Sequence, residues 1–167
     1  MPLERSIVIH PNPVLRRKAK VVERIDESVR QLVADMRRIM AELDGAGLAA
    51  PQVGESVRIF IVGARDGSPE RVFINPVLEV SGPVEPHSEG CLSLPDIFGE
   101  VQRPPKARIT ATALDGNQFT LESDAFEARV WQHEFDHLEG VLIIDRMMPR
   151  CRLRNRRAIR DLERAGG

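Results

Sequence analysis

Apolar residues first recur at helical spacing at Val29, Leu32, Val33, Met36, Met40 and Leu43, offsets of 0, 3, 4, 7, 11 and 14 that draw one stripe along a helix. Asp26 is placed to cap its start and Gly45 to end it. Before it, residues 6–20 hold a short apolar run and a Pro-Asn-Pro turn. After it comes a Gly/Ala-rich loop over residues 45–54. The pattern then changes period. Residues 57–62, 71–74 and 77–80 are β-rich runs, the last two separated by Asn75-Pro76. Residues 107–114 alternate, Asp115-Gly116 turns the chain, and residues 118–122 return, which predicts a hairpin. A second helix is expected from about Ser123-Asp124, with Glu127 completing a capping box, to Leu138, stopping before Gly140. Helix, then strands, then helix predicts an α+β fold.

Composition narrows the class without reaching a function. The chain has 167 residues, 42% hydrophobic and 29% charged, which suits one soluble domain with a full core and excludes a disordered, collagen-like or coiled-coil chain. Two cysteines cannot form a disulfide framework, so a reducing compartment, the cytoplasm, is expected. The N-terminus lacks a signal-peptide pattern, and the longest apolar runs, such as residues 141–144, are too short for a bilayer, so no membrane role is expected. A formal net charge of -1 predicts no overall pull towards nucleic acid.

Chemistry enters at His133-Glu134-Phe135-Asp136-His137 on the second helix. Histidines four apart share a helix face, so both imidazoles can reach one cation while Glu134 stands within reach of a water on it. Phe126 and Val130 extend the face carrying His133 and His137, which predicts that it points inward. The short motif recurs by chance, and a surface helix with two incidental histidines is the plain alternative.

Two histidines leave a third ligand to find. The metzincin extension would need a histidine where Ile143 stands, and a thermolysin-type site would have only Glu163, near the chain end. Cys91 is the best placed remaining donor, in Glu89-Gly90-Cys91-Leu92-Ser93-Leu94-Pro95, where Gly90 permits close backbone approach and Pro95 limits continuation of a strand. A lone cysteine is more often a small buried hydrophobe.

Three segments together, residues 45–52 (GAGLAAPQ), 89–95 (EGCLSLP) and 132–140 (QHEFDHLEG), resemble in order and separation the three signature motifs of peptide deformylase. The opening PNPVLR is similar too, so the likeness spans nearly the whole chain. The resemblance implies a single domain of antiparallel sheets packed around a central metal-binding helix. It implies removal of the formyl group from the N-terminal methionine of nascent peptides, with one divalent metal per chain held by Cys91, His133 and His137. Ferrous iron is the metal implied, with Zn2+, Ni2+ or Co2+ as alternatives. Glu134 would be general base and then acid, and the Gln52 amide and Leu92 backbone N–H would face the oxyanion. Gly45, Ala46, Gly47, Glu89 and Gly90 would line the peptide, while Phe126, Arg129 and Val130 stand near the methionine side chain. Glu89 and Asp136 would orient the ligands, with Arg103 as a partner. Ala46, His87 and Arg129 are smaller or less apolar than many family members carry nearby, so pocket shape departs from the pattern. A non-enzymatic zinc module with an RNA-binding tail is the remaining alternative; three ligands beside a water-activating Glu argue against it, because structural sites close with four.

From Arg146 onward eight arginines face only Asp161 and Glu163, an excess of six positive charges, so the rest of the chain carries -7. With Leu153, Ile159 and Leu162 this tail can form a partly amphipathic helix, either a solvated surface helix or a contact for the ribosome. A monomer is expected. His10, His87 and Cys151 have no chemical role at this level.

Overall fold

The structure is a computed structural model that describes residues 4–64 and 68–166. A 3-10 turn, Pro13–Arg16, capped by the Asn12 side chain, precedes helix α1, Glu27–Glu42. The strands are β1 (Gly47–Ala49), β2 (Ile59–Val62), β3 (Arg71–Ser81), β4 (Glu85–Cys91), β5 (Leu94–Arg103), β6 (Lys106–Thr112) and β7 (Gln118–Ser123). Helices α2 (Phe126–Leu138), α3 (Ile143–Arg146), α4 (Pro149–Arg154) and α5 (Arg156–Gly166) complete the chain. The sheet orders are β1-β2-β3-β6-β7 and β4-β5, with every pairing antiparallel.

The larger sheet is buried on both faces where it matters for the site. Ile59 and Ile61 of β2 pack with Val29, Leu32, Val33, Met36 and Met40 of α1, while Phe60 and Val62 turn to the other side and meet Ala128, Val130, Trp131 and Leu138 of α2. The period of two along a strand makes this division automatic. A third cluster joins β5 to the N-terminal turn and to α3, α4 and α5 through Leu15, Leu94, Ile97, Val101, Ile144 and Ile159. Helix α2 therefore buries residues around most of its circumference, including Gln132, Glu134, Asp136 and His137. It is the central helix of an α+β fold.

Several local expectations change. Asp26 caps α1 as expected, its side chain accepting from the Val29 N–H at 3.2 Å. At the other end Asp44, not Gly45, takes the left-handed conformation, with φ 54°. Its N–H reaches Ala41 O at 3.3 Å and that of Gly45 reaches Met40 O at 3.0 Å, a Schellman ending in which Gly45 lies one residue further out. Leu43 lies outside the buried stripe. Asn75-Pro76 does not divide two strands: β3 runs through it with a register shift, because Asn75 takes φ 50° and the pairing with β6 resumes at Val77. Helix α2 starts at Phe126, capped at Ala125 with no side-chain cap, since residues 118–123 remain committed to β7. The loop after α1 contains β1 and a 3-10 turn, Ala50–Val53. Pro95 lies at the start of β5, in the stretch between Leu94 and Phe98 where the β4–β5 pairing breaks register and Asp96 takes φ 64°.

Candidate metal centre

The centre is built by α2, the end of β4 and the strand–turn following α1. One helical turn separates His133 from His137, and their rings lie 5.2 Å apart in an edge-on arrangement. Strand β4 delivers Cys91, which the turn to β5 (Cys91 opposite Leu94) sets beside the helix. Ligating atoms of Cys91, His133 and His137 all lie within 4.8 Å of one another, and the Cys91 sulfur is 3.5 Å from His137 Nε2. Glu163 is elsewhere, paired with His10 at 3.1 Å, and Ile143 is buried in the third core cluster, so the sulfur supplies the third donor of the group.

The donor set suits a divalent cation. His133 Nδ1 donates to Glu89 Oε1 at 2.9 Å, which leaves Nε2 for a metal and fixes the ring plane. Burial holds the His137 pKa well below its ordinary value, reinforced by positive charge on His133 and Arg103, so its imidazole stays neutral. Burial opposes charge on His133 also, but Glu134, Cys91 and Glu89 outweigh it and raise its pKa well above the ordinary value. A neutral His137 imidazole beside the Cys91 sulfur offers the lone pairs that a cation takes.

Glu134 is the one carboxylate aimed at this cluster from within the motif. It is buried, and its Oε1 has no hydrogen-bond partner among the described residues. Burial lifts its pKa to about 7, only partly countered by His133 and Arg103. Gln52 is buried; its carbonyl oxygen Oε1 accepts from Ala49 N–H at 3.0 Å, and its Nε2 faces Ser93 Oγ at 3.2 Å and Cys91 Sγ at 3.6 Å. The N-terminal segment ties these loops together: Val8 N–H bonds Gln52 O at 2.7 Å and His10 N–H bonds Ser93 O at 3.0 Å.

Behind the ligands runs a chain of charges. Arg103, 2% exposed, grips Glu89 through two nitrogens at 2.6 and 3.0 Å and Asp136 at 2.8 Å. Arg146 grips the same Asp136 at 2.7 and 3.0 Å. The bond from His133, and then those from Arg103, outweigh burial and hold Glu89 ionised with a pKa lowered to about 2. Glu89, Asp136 and Arg103 thus meet as the sequence suggested. Arg146 was counted among the solvated charges of the tail, and this corrects it; nothing in its sequence context signalled a partner ten residues back in the motif helix.

The remaining candidates are distributed around this centre. Gly45 lies under Leu92, where a Cβ would meet Leu92 Cδ1 at 2.9 Å. Gly47 backs onto Glu134, and Gly90 lies under the Phe98 ring. The Ala46 carbonyl accepts from Gly63 N–H at 2.9 Å. Val130 is buried against the sheet, whereas Phe126 at the helix start is 41% exposed, so the inward face begins one turn later than expected. Arg129 extends towards Glu85 of β4. Ser93, Glu85 and Phe98 were not singled out from the sequence; Ser93 had a signal, its place inside the Cys91 motif.

The family model for polypeptide deformylase matches residues 4–153. The chain belongs to that family. Deformylase relatives include peptide deformylase 1 of Clostridium perfringens, 49% identical over 142 residues that make up 84% of this chain and 96% of that protein. The Thermotoga maritima peptide deformylase is 42% identical over 158 residues, 95% of this chain and 96% of its own. Among solved deformylase structures, that from Plasmodium falciparum superposes with a TM-score of 0.91 at 38% identity, covering 96% of each chain. A plant peptide deformylase gives a TM-score of 0.92 at 38% identity, over 99% of this chain and 92% of that one. The deformylase family removes the formyl group from N-terminal formyl-methionine, and this chain is accordingly a metal-dependent hydrolase of that activity. Among the described residues no helix is long and apolar enough to cross a membrane.

Proposed function

We propose that Glu134 carries the proton in deformylation, that Cys91, His133 and His137 hold the metal, and that Gln52 and the Leu92 N–H serve the oxyanion. The observation that carries this reading is the buried Glu134 carboxylate beside the three donors, with one oxygen unpartnered among the described residues and a pKa near 7. A base whose pKa matches the working pH both accepts and returns a proton efficiently. When bound, a divalent cation supplies Lewis acidity that polarises the formyl group and acidifies water. Glu134 takes a proton from the attacking water and delivers it to the peptide amine, so that the amide C–N bond breaks into formate and a free N-terminus. The Gln52 amide, oriented by the Ala49 N–H on its oxygen, offers its nitrogen at the Cys91 side of the centre. Donors already aimed at the developing charge cost no reorganisation during reaction.

The edge formed by Gly45, Ala46 and Gly47, with Gly90 opposite, receives the peptide backbone by strand addition. Phe126, Arg129 and Val130 stand near the methionine side chain, and Glu89 lies with Gly90 along the peptide. The metal is Fe2+, so thiolate ligation makes the enzyme sensitive to air, with Zn2+, Ni2+ or Co2+ able to replace it. Residues 1–167 act as one cytoplasmic, monomeric catalytic domain whose basic segment from about residue 146 meets the ribosome near the nascent chain. Within that segment Arg146 pairs with Asp136 and Arg150 with Glu100 at 2.5 Å, Ile159 is buried, and Leu153 is 65% exposed. Exposed Arg156, Arg157, Arg160 and Arg164 of α5 are left to form the contact. Formate release from a formyl-Met peptide, measured with metal content on anaerobically purified protein, tests the reaction; ribosome co-sedimentation that weakens with salt tests the tail. Absence of formate release would end the reading.

A further inference from the structure

Asp136, the residue before His137, accepts from two arginines at once. Its Oδ2 takes Arg103 Nη1 at 2.8 Å and Arg146 Nε at 2.7 Å, and its Oδ1 takes Arg146 Nη2 at 3.0 Å. Among the described residues Arg146 is the one side-chain donor to Oδ1. Asp136 and Arg103 are buried, whereas the Arg146 side chain is 47% exposed, so it reaches the network from the surface. Two carboxylates, Glu89 and Asp136, meet two guanidiniums, and the four formal charges cancel only with Arg146 in place.

The backbone around Arg146 is fixed on both sides. Asp145 caps α3 by accepting from the Leu142 N–H at 2.9 Å, and the Met148 N–H bonds Glu100 O at 2.8 Å beside a bridge between Met147 and Val101. Strand β5 therefore steadies the segment that carries Arg146 and also carries Arg103, the second arginine on Asp136.

Resting on the reading of Cys91, His133 and His137 as the metal ligands, we propose that Arg146 is a positioning residue for the metal, through which the start of the C-terminal segment secures the centre. Arg103 gives only Nη1 to Asp136 and both Nε and Nη2 to Glu89, whose Oε1 in turn accepts from His133 Nδ1. Without Arg146, a buried carboxylate oxygen loses its donor, which is costly. Arg103 is then the guanidinium left to Asp136, and turning towards it loosens the two-nitrogen grip on Glu89 and frees the His133 ring. Loss of a partner behind a ligating histidine weakens metal binding by about 10–100-fold. A plain ion pair between a half-exposed arginine and Asp136 would stabilise the fold without reaching the metal.

The test loads the full-length protein with Co2+ and reads retention against a chelator together with the visible absorption of the bound ion. Arg146→Met should weaken retention by about tenfold or more and change the Co2+ spectrum, with KM for a formyl-Met peptide unchanged. Arg146→Lys should show a smaller loss in the same direction, and it decides the question if Arg146→Met does not fold. Arg150→Met, which breaks the neighbouring pair with Glu100, should leave retention and spectrum as in the wild type. In an Asp136→Asn background, Arg146→Met should add less than about twofold, because its effect runs through Asp136. Wild-type retention and spectrum in the Arg146 variants, an equal loss in Arg150→Met, or an undiminished further loss in the Asp136→Asn background overturns the proposal. A wild type that binds no Co2+ would overturn the metal-ligand reading instead.

Discussion

Gly47 and Glu134 are in contact across the site: a Cβ built on Gly47 would stand 2.8 Å from Glu134 Oε2 and 3.0 Å from its Cγ. Strand β1 cannot retreat, because Gly47 is paired to Val62 of β2. The glycine is the wall against which the carboxylate rests. Gly47→Ala should therefore keep its metal yet lose on the order of a hundredfold in kcat, as expected for displacement of a reacting group by a fraction of an ångström or more. Formate release with parallel metal analysis checks this, and an unchanged kcat would separate the wall from the chemistry.

Glu134→Gln preserves shape and removes the proposed proton carrier. Turnover should drop by about 10²–10⁴ while the metal content stays at the wild-type level. Near-normal activity in this variant would mean that another group moves the proton.

Cys91 supplies the third donor of the cluster with His133 and His137. Cys91→Ala should weaken metal binding by more than about tenfold, read from retention during titration with a chelator. Metal held as tightly as in the wild type would move the third ligand elsewhere.

Arg103 lies between Glu89 and Asp136 with almost no solvent contact. Removing one partner of such a network leaves buried charge unpaired, so Arg103→Ala should cost about 3–5 kcal/mol in denaturant unfolding. Arg103→Lys should recover only part of this, since an ammonium cannot reproduce the two-nitrogen grip on Glu89.

Acid should loosen the anchor between α3 and the N-terminal turn. Burial disfavours charge on Asp145, but its bonds from Arg16, at 3.2 Å through Nη2, and from the Leu142 N–H at 2.9 Å prevail and lower its pKa. A depressed carboxylate stabilises the fold above its unfolded pKa, and that contribution is lost as pH falls through and below about 4. Wild type should exceed Asp145→Asn in unfolding stability near pH 6, and the gap should narrow as the pH falls below about 4.

The elements legible from the chain were those whose signal is local. The α1 stripe, the β6–β7 hairpin and the HExxH face follow from periods of 3.6 and 2 and from one Asp-Gly turn. The β4–β5 hairpin escaped that reading because Glu85–Cys91 is a polar strand with no alternation, held by its ladder and by the grip of Arg103 on Glu89. The start of α2 was misplaced for a related reason: Ser123 and Asp124 are good caps, but sheet pairing keeps residues to 123 extended.

By itself the sequence determined an α+β fold, a helix with two histidines one turn apart and a glutamate between them, and three motifs that mark the family. Those follow from covalent geometry and residue type within a few positions of each other. Only the tertiary structure decided that Cys91 closes on His137, that Gly47 bounds Glu134, that Arg146 leaves the tail to hold Asp136, and that Glu85 faces Arg129. Such contacts join residues far apart in the chain, and their geometry is set by how the sheets pack around α2, which no local pattern encodes.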